Sequence, residues 1–155
     1  MDDTAARAEL SRVLRQMRGP QTVSAVRRLL AANPAVARLK GEEGRVPLNE
    51  ALRYREDSDM VPQLVDLLLY AYPEALQCRT DTGNLPLHNA AGHQDAAVVE
   101  VLAKLYPQAL TTRQEIGSLP LHFAAQWQSG EKGAAVVEVL ARLCPQALTT
   151  GNNDG

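Results

Sequence analysis

One motif returns at fixed offsets along the chain and limits its possible folds more than any other feature. "GNLPLHNAA", Gly83 to Ala91, comes back as "GSLPLHFAA", Gly117 to Ala125. Around it, prolines stand at Pro34, Pro73, Pro107 and Pro145, and a glycine follows each by ten residues, at Gly44, Gly83, Gly117 and Gly155. The repeat periods are 39, 34 and 38 residues, the range of solenoid units that stack to share one core. All length variation falls between a glycine and the next proline.

Each unit reads as turn, helix, turn, helix. Gly44, Gly83 and Gly117 suit a position needing positive φ, and Pro47, Pro86 and Pro120 suit a first helical turn, where a missing N–H costs little. Small residues follow at Ala51, at Ala90 with Ala91 and at Ala124 with Ala125, allowing a second helix to approach closely. That second helix is explicit, since "AAVVEVLAKLYP" and "AAVVEVLARLCP" agree at ten of twelve positions. Val98, Val101, Leu102 and Leu105 form its expected buried stripe, at i, i+3, i+4 and i+7. Proline then stops the helix, with Tyr72, Tyr106 or Cys144 just before it as packing residues.

The N-terminal end matches only in part. Leu10, Val13, Leu14 and Met17 make an apolar stripe, and Arg7, Arg12, Arg15 and Arg18 gather on the opposite face of the same helix. "TVSAVRRLLAANP" resembles a second helix without a glycine–proline turn before it, as expected of a terminal capping unit. The expected organisation is one domain over 1–155: a cap or degenerate repeat at 1–43, repeats at 44–82, 83–116 and 117–154, and a further repeat cut off at 155.

Composition narrows the function classes. The chain has 155 residues, 45% hydrophobic and 22% charged, enough for a sizeable core and too apolar for disorder. Its acidic start, "MDDTAARAEL", lacks the basic residues of a targeting peptide, and no apolar run approaches a membrane span, so a cytoplasmic or nuclear protein without a membrane partner is expected. Cys78 and Cys144 have no metal-ligand spacing and read as reduced, packed thiols. The net charge of −2 conceals a basic end, +5 over residues 1–40 against −7 over the remainder. The arginine stripe is compatible with an anionic surface. A solvated cap face is the preferred reading, because no aromatics interleave with it and nucleic acid is not expected.

At "GxLPLHxAA" the sequence resembles the ankyrin repeat, whose hallmark is a glycine, Thr-Pro-Leu-His, alanines and a Val-Val-x-Leu-Leu second helix. From Gly83 to Val98 the spacing agrees residue for residue, and the resemblance covers roughly residues 20–155. It implies an all-α, ankyrin-like helix-turn-helix repeat solenoid. Tetratricopeptide and HEAT-like units have similar periods but no proline three residues after a turn glycine. The departures are regular. Val46, Leu85 and Leu119 replace the threonine, removing a capping oxygen worth about 1 kcal/mol per turn. "YPEA", "YPQA", "CPQA" and "NPAV" replace the usual Gly-Ala ending, and Gly92–His93 falls two places before the family's Gly-His.

His88 and His122 could be a metal or acid–base pair. They occupy one column a repeat apart, on the order of 10 Å, too far to share a metal. The resemblance implies instead a histidine hydrogen-bonded to the turn backbone, with Asn49 expected in the same role. No catalytic triad, paired carboxylates or phosphate loop stands out, so neither an enzyme, a metal nor a cofactor is expected.

Ten residues after each glycine stand Tyr54, His93 and Trp127, preceded by Arg53, Gly92 and Gln126. The resemblance implies that partner contacts come from this stretch and from the turn tips on the concave side. The candidate partner-binding residues are Arg45, Arg53, Tyr54, Asn84, His93, Glu115, Ile116, Ser118 and Trp127. An aromatic ladder with acidic tips suits another protein as partner, because Trp, Tyr and Arg dominate interface energetics. Trp127 and Tyr54 could instead merely cover the turns before the insertions "REDSDM" and "QSGEKG". A second reading is a structural subunit. Its last repeat has no cap, so that edge would dock into an assembly, self-associate, or continue into a longer array.

Overall fold

The computed structural model describes residues 2–16, 19–54 and 59–152. Met17, Arg18, residues 55–58 of the "REDSDM" insertion and Gly155 lie outside them. Among the described residues every regular element is helical: α1 (Asp3–Gln16), α2 (Gln21–Ala32), α3 (Pro47–Ala51), α4 (Val61–Ala71), α5 (Pro86–His93), α6 (Ala96–Leu105), α7 (Pro120–Trp127) and α8 (Gly130–Leu143). Helices α1, α3, α5 and α7 form an inner layer, packed α1 on α3, α3 on α5 and α5 on α7. Behind it α2 packs on α4 and α6 on α8, and one apolar core runs between the layers, with Leu10, Leu14, Leu48, Leu64, Leu102 and Leu140 essentially sealed from solvent.

The repeated residues act locally as their chemistry requires. Gly44, Gly83 and Gly117 take φ of +67°, +77° and +77°, and a side chain at Gly44 would also run into Asp81 of the next turn. Val46, Leu85 and Leu119 are extended N-caps without a side-chain cap bond, and the following proline is the first helical residue in each case. Instead of capping, these apolar residues are buried, at 1%, 2% and 4% exposure. Adjacent turns bond directly, Asp81 N–H to Glu43 O at 2.9 Å and Glu115 N–H to Thr82 O at 3.2 Å.

At the far end of each unit, proline both stops a helix and starts a short 3-10 turn. These turns, Pro34–Arg38, Pro73–Gln77, Pro107–Thr111 and Pro145–Thr149, bury Val36, Ala75, Ala109 and Ala147. One sequence expectation needs correction here. Val98 and Leu102 of α6 are buried, but Val101 and Leu105 are 50% and 56% exposed, with Val99 and Ala103 buried in their place. A second helix sits against both its own first helix and the neighbouring second helix, which rotates its buried stripe. Most of the "QSGEKG" insertion forms the added first turn of α8.

The histidines are joints between units. Leu85 N–H donates to His88 Nδ1 at 3.1 Å, and His88 Nε2 reaches Ser118 O at 3.2 Å in the following turn. His122 repeats this with Leu119 N–H at 2.8 Å and Thr150 O at 2.7 Å. A backbone N–H can only donate, so Nδ1 is the acceptor and Nε2 carries the proton. Burial holds His88 down at about 4, with the carbonyls of Ser118 and Thr112 opposing.

A similar joint exists two units before that of His88, built from a different residue. Arg7 of α1 donates to Leu39 O at 2.7 Å and Arg45 O at 2.9 Å, the positions corresponding to Thr150 and Ser118. It is only 6% exposed and pairs with buried Glu50 at 2.9 Å. The solvated arginine face expected from the sequence is therefore corrected at Arg7, because the carbonyls at this joint need a donor and the unit has no histidine. Arg12 does lie at the surface, paired with Glu9, and Arg15 reaches Glu42 at 2.6 Å and Glu50 at 3.5 Å. Asn49, expected to stand in for histidine, does not, since neither amide atom of this 1% exposed side chain has a partner.

Two outcomes follow. Arg7→Ala removes the closest charge partner of buried Glu50, leaving it Ser11 and a longer contact to Arg15, and frees two carbonyls; it is expected to cost about 3 kcal/mol in urea unfolding, against under about 0.5 kcal/mol for Arg12→Ala. Below pH 6.5 the unfolded chain protonates at His88 while the folded chain does not until about 4, so stability should fall through that window as pH drops. The loss is about 3 kcal/mol at most. Urea midpoints across the window should show it, and His88→Gln, though less stable at neutral pH, should lack this part of the dependence.

Candidate functional site

The inner helices and the turn tips enclose a groove of about 470 Å³. Seven of the nine residues singled out from the sequence line it: Arg45, Arg53, Asn84, His93, Glu115, Ile116 and Trp127. Tyr54 and Ser118 do not. Tyr54 is half-buried against the core, as its cover-the-turn reading has it. Ser118 is 2% exposed, with its carbonyl held by His88 and its hydroxyl accepting from Asn152 at 3.3 Å. The aromatic ladder therefore loses its first rung.

Phe123 and Asn89 join the groove. They occupy the position directly after the histidine, one of the two at which the copies of the motif differ, and that difference was their signal. In the earlier unit that position holds Glu50, taken up by Arg7. Gly92 shapes the far end. A Cβ there would lie 3.5 Å from Trp127 Cβ and 3.7 Å from Phe123 Cδ1, so both aromatic residues pack over a surface kept flat. Phe123 also meets His88 edge-on at 5.3 Å, which ties the groove to the buried joint. Trp127 and Ile116 remain 51% exposed.

The polar groups are unevenly satisfied. Arg45 pairs with Glu43, and burial, then the neighbouring positive charge of Arg53, holds its pKa below the ordinary guanidinium range. Arg53 is exposed, and its guanidinium makes no ion pair or hydrogen bond with the described residues. Asn84 Oδ1 and Asn89 Nδ2, one acceptor and one donor, have no partner. Each unmade bond of this kind costs about 1–3 kcal/mol.

Two further columns escaped the sequence reading and bond neighbouring units to one another. Gln94 and Gln128 donate backwards, to Leu52 O and Tyr54 O at 2.7 and 3.0 Å, and to Ala91 O and Gln94 O at 3.1 and 2.9 Å. Lys40, Arg79 and Arg113 donate forwards, to Arg79 O at 3.3 Å, Arg113 O at 3.1 Å and Gly151 O at 2.8 Å. Their signals were a glutamine eleven residues after a glycine and a basic residue four before one.

For chemistry the arrangement offers little. Both ring nitrogens of His88 and of His122 are committed to backbone groups. Among the described residues no group of three or more His, Cys, Asp or Glu side chains converges as metal ligands, and no helix is long and apolar enough to cross a membrane. Cys78 and Cys144 are free thiols, half-buried and buried.

Stacked helix-turn-helix units, joined turn to turn and grooved along their inner helices, define a helical-repeat solenoid. Residues 63–124 match the family model described as ankyrin repeats (many copies), which supports a divergent ankyrin-repeat protein. Ankyrin repeats are generally protein–protein interaction modules, and the family is typically non-catalytic. No curated protein matches the chain.

Proposed function

We propose that this chain is a non-catalytic module that binds another protein in the groove formed by its turn tips and first helices. One observation carries the reading. Trp127 and Ile116, large and apolar, stand half-exposed in a concavity otherwise lined largely by polar and charged side chains. Buried aromatic anchors surrounded by polar groups supply most of the energy at protein interfaces. Two free thiols suit a reducing compartment, the cytoplasm or nucleus.

A second reading, docking of the last unit's edge into an assembly or against a second copy, is favoured by Leu148. It is 61% exposed, whereas its counterpart Leu110 is 9% exposed. Association that rises with concentration in ultracentrifugation and is removed by Leu148→Glu would support this edge as the binding surface.

For the groove, Trp127→Ala should weaken binding of a partner captured from the source cell by about 2 kcal/mol or more, with the thermal midpoint little changed. Because Trp127 is the only tryptophan, its emission should be solvent-exposed in the free chain and shift to shorter wavelength on binding. Binding equal to that of the parent chain, with emission unmoved, would remove the groove from the account.

A further inference from the structure

The groove changes character from one unit to the next. At the α3 end, Arg53 is an exposed guanidinium without a counterion among the described residues, beside an Arg45 already neutralised by Glu43. In the middle, on α5 and its turn, stand the unpaired Asn89 Nδ2 donor and Asn84 Oδ1 acceptor. Asn89 is 6% exposed, and its unpaired Nδ2 lies beneath the groove surface. At the α7 end are Trp127, Phe123 and Ile116, next to the exposed carboxylate of Glu115.

We infer that the groove is built for one extended peptide segment, with an aspartate or glutamate over Arg53 and a large apolar side chain, five or six residues away, over Trp127 and Ile116. This deepens the binding-module reading and rests on it. An extended segment can lie across the inner helices and turn tips and so reach both ends of the groove at once. Packed helices lie about 8–10 Å apart, so α3 to α7 is about 16–20 Å, which an extended chain rising about 3.3 Å per residue crosses in five or six residues. Charge fixes the order. Arg53 attracts an acid at one end, and Glu115 repels it at the other.

The test is selection of ten-residue peptides from a displayed random library on the purified chain, with Arg53→Glu and Ile116→Arg variants in parallel. Both substitutions fall on exposed side chains. The chain should enrich peptides with Asp or Glu five or six positions from Leu, Ile, Phe or Trp. A synthetic peptide of that kind should lose at least about tenfold in affinity when its acid becomes lysine, and Arg53→Glu should reverse the preference. Peptides that depend on Ile116 yet show no acidic preference, or one that Arg53→Glu leaves intact, would overturn this inference while the binding-module reading stands. Enriched peptides indifferent to Ile116→Arg, or no enrichment at all, would overturn both.

Discussion

The array depends on a side chain that reaches from a first helix to the backbone of the next turn. Turns of this kind expose carbonyls that the helices cannot use, and burying them unpaired would be costly. His88 and His122 answer with one ring nitrogen on their own helix start and the other on the next unit, and Arg7 does the forward half of the task where no histidine is present. The apolar N-caps depend on this arrangement too. Leu85 and Leu119 cannot cap with an oxygen, but the histidine takes up their N–H groups, leaving their side chains to pack between units.

Other columns share the load in fixed directions. The basic column Lys40, Arg79 and Arg113 points forward, and Gln94 and Gln128 point back. Every joint except the one at Asn49 thus has a side chain from the motif column spanning it, and at that joint Gln94 and Lys40 still cross. The residues facing the groove escape these duties. Asn89 and Phe123, one per unit, vary while their neighbours stay constant, so the groove can differ from end to end on a uniform frame.

Much of the fold was legible because its signals are local. Turn glycines with positive φ, prolines opening helices and prolines closing them follow from steric limits on single residues. What escaped depends on placement between units. Periodicity locates a helix face but not its rotation between two neighbours, so Val101 and Leu105 were assigned to the wrong side. Arginines spaced on one face look solvated until Glu50 and the Leu39 and Arg45 carbonyls are seen around Arg7. Counting from the glycine places Trp127 and His93 in the groove lining but not Tyr54, whose inner helix, Pro47–Ala51, is shorter than its counterparts.

The most direct test of this account is the state of the His88 ring, read by nitrogen-15 NMR of the imidazole. The joint requires a neutral ring with the proton on Nε2 and a bare Nδ1, unchanged from about pH 7.5 to about pH 5 while the chain stays folded. A proton on Nδ1, or a ring that titrates near 6.5 in the folded protein, would contradict it.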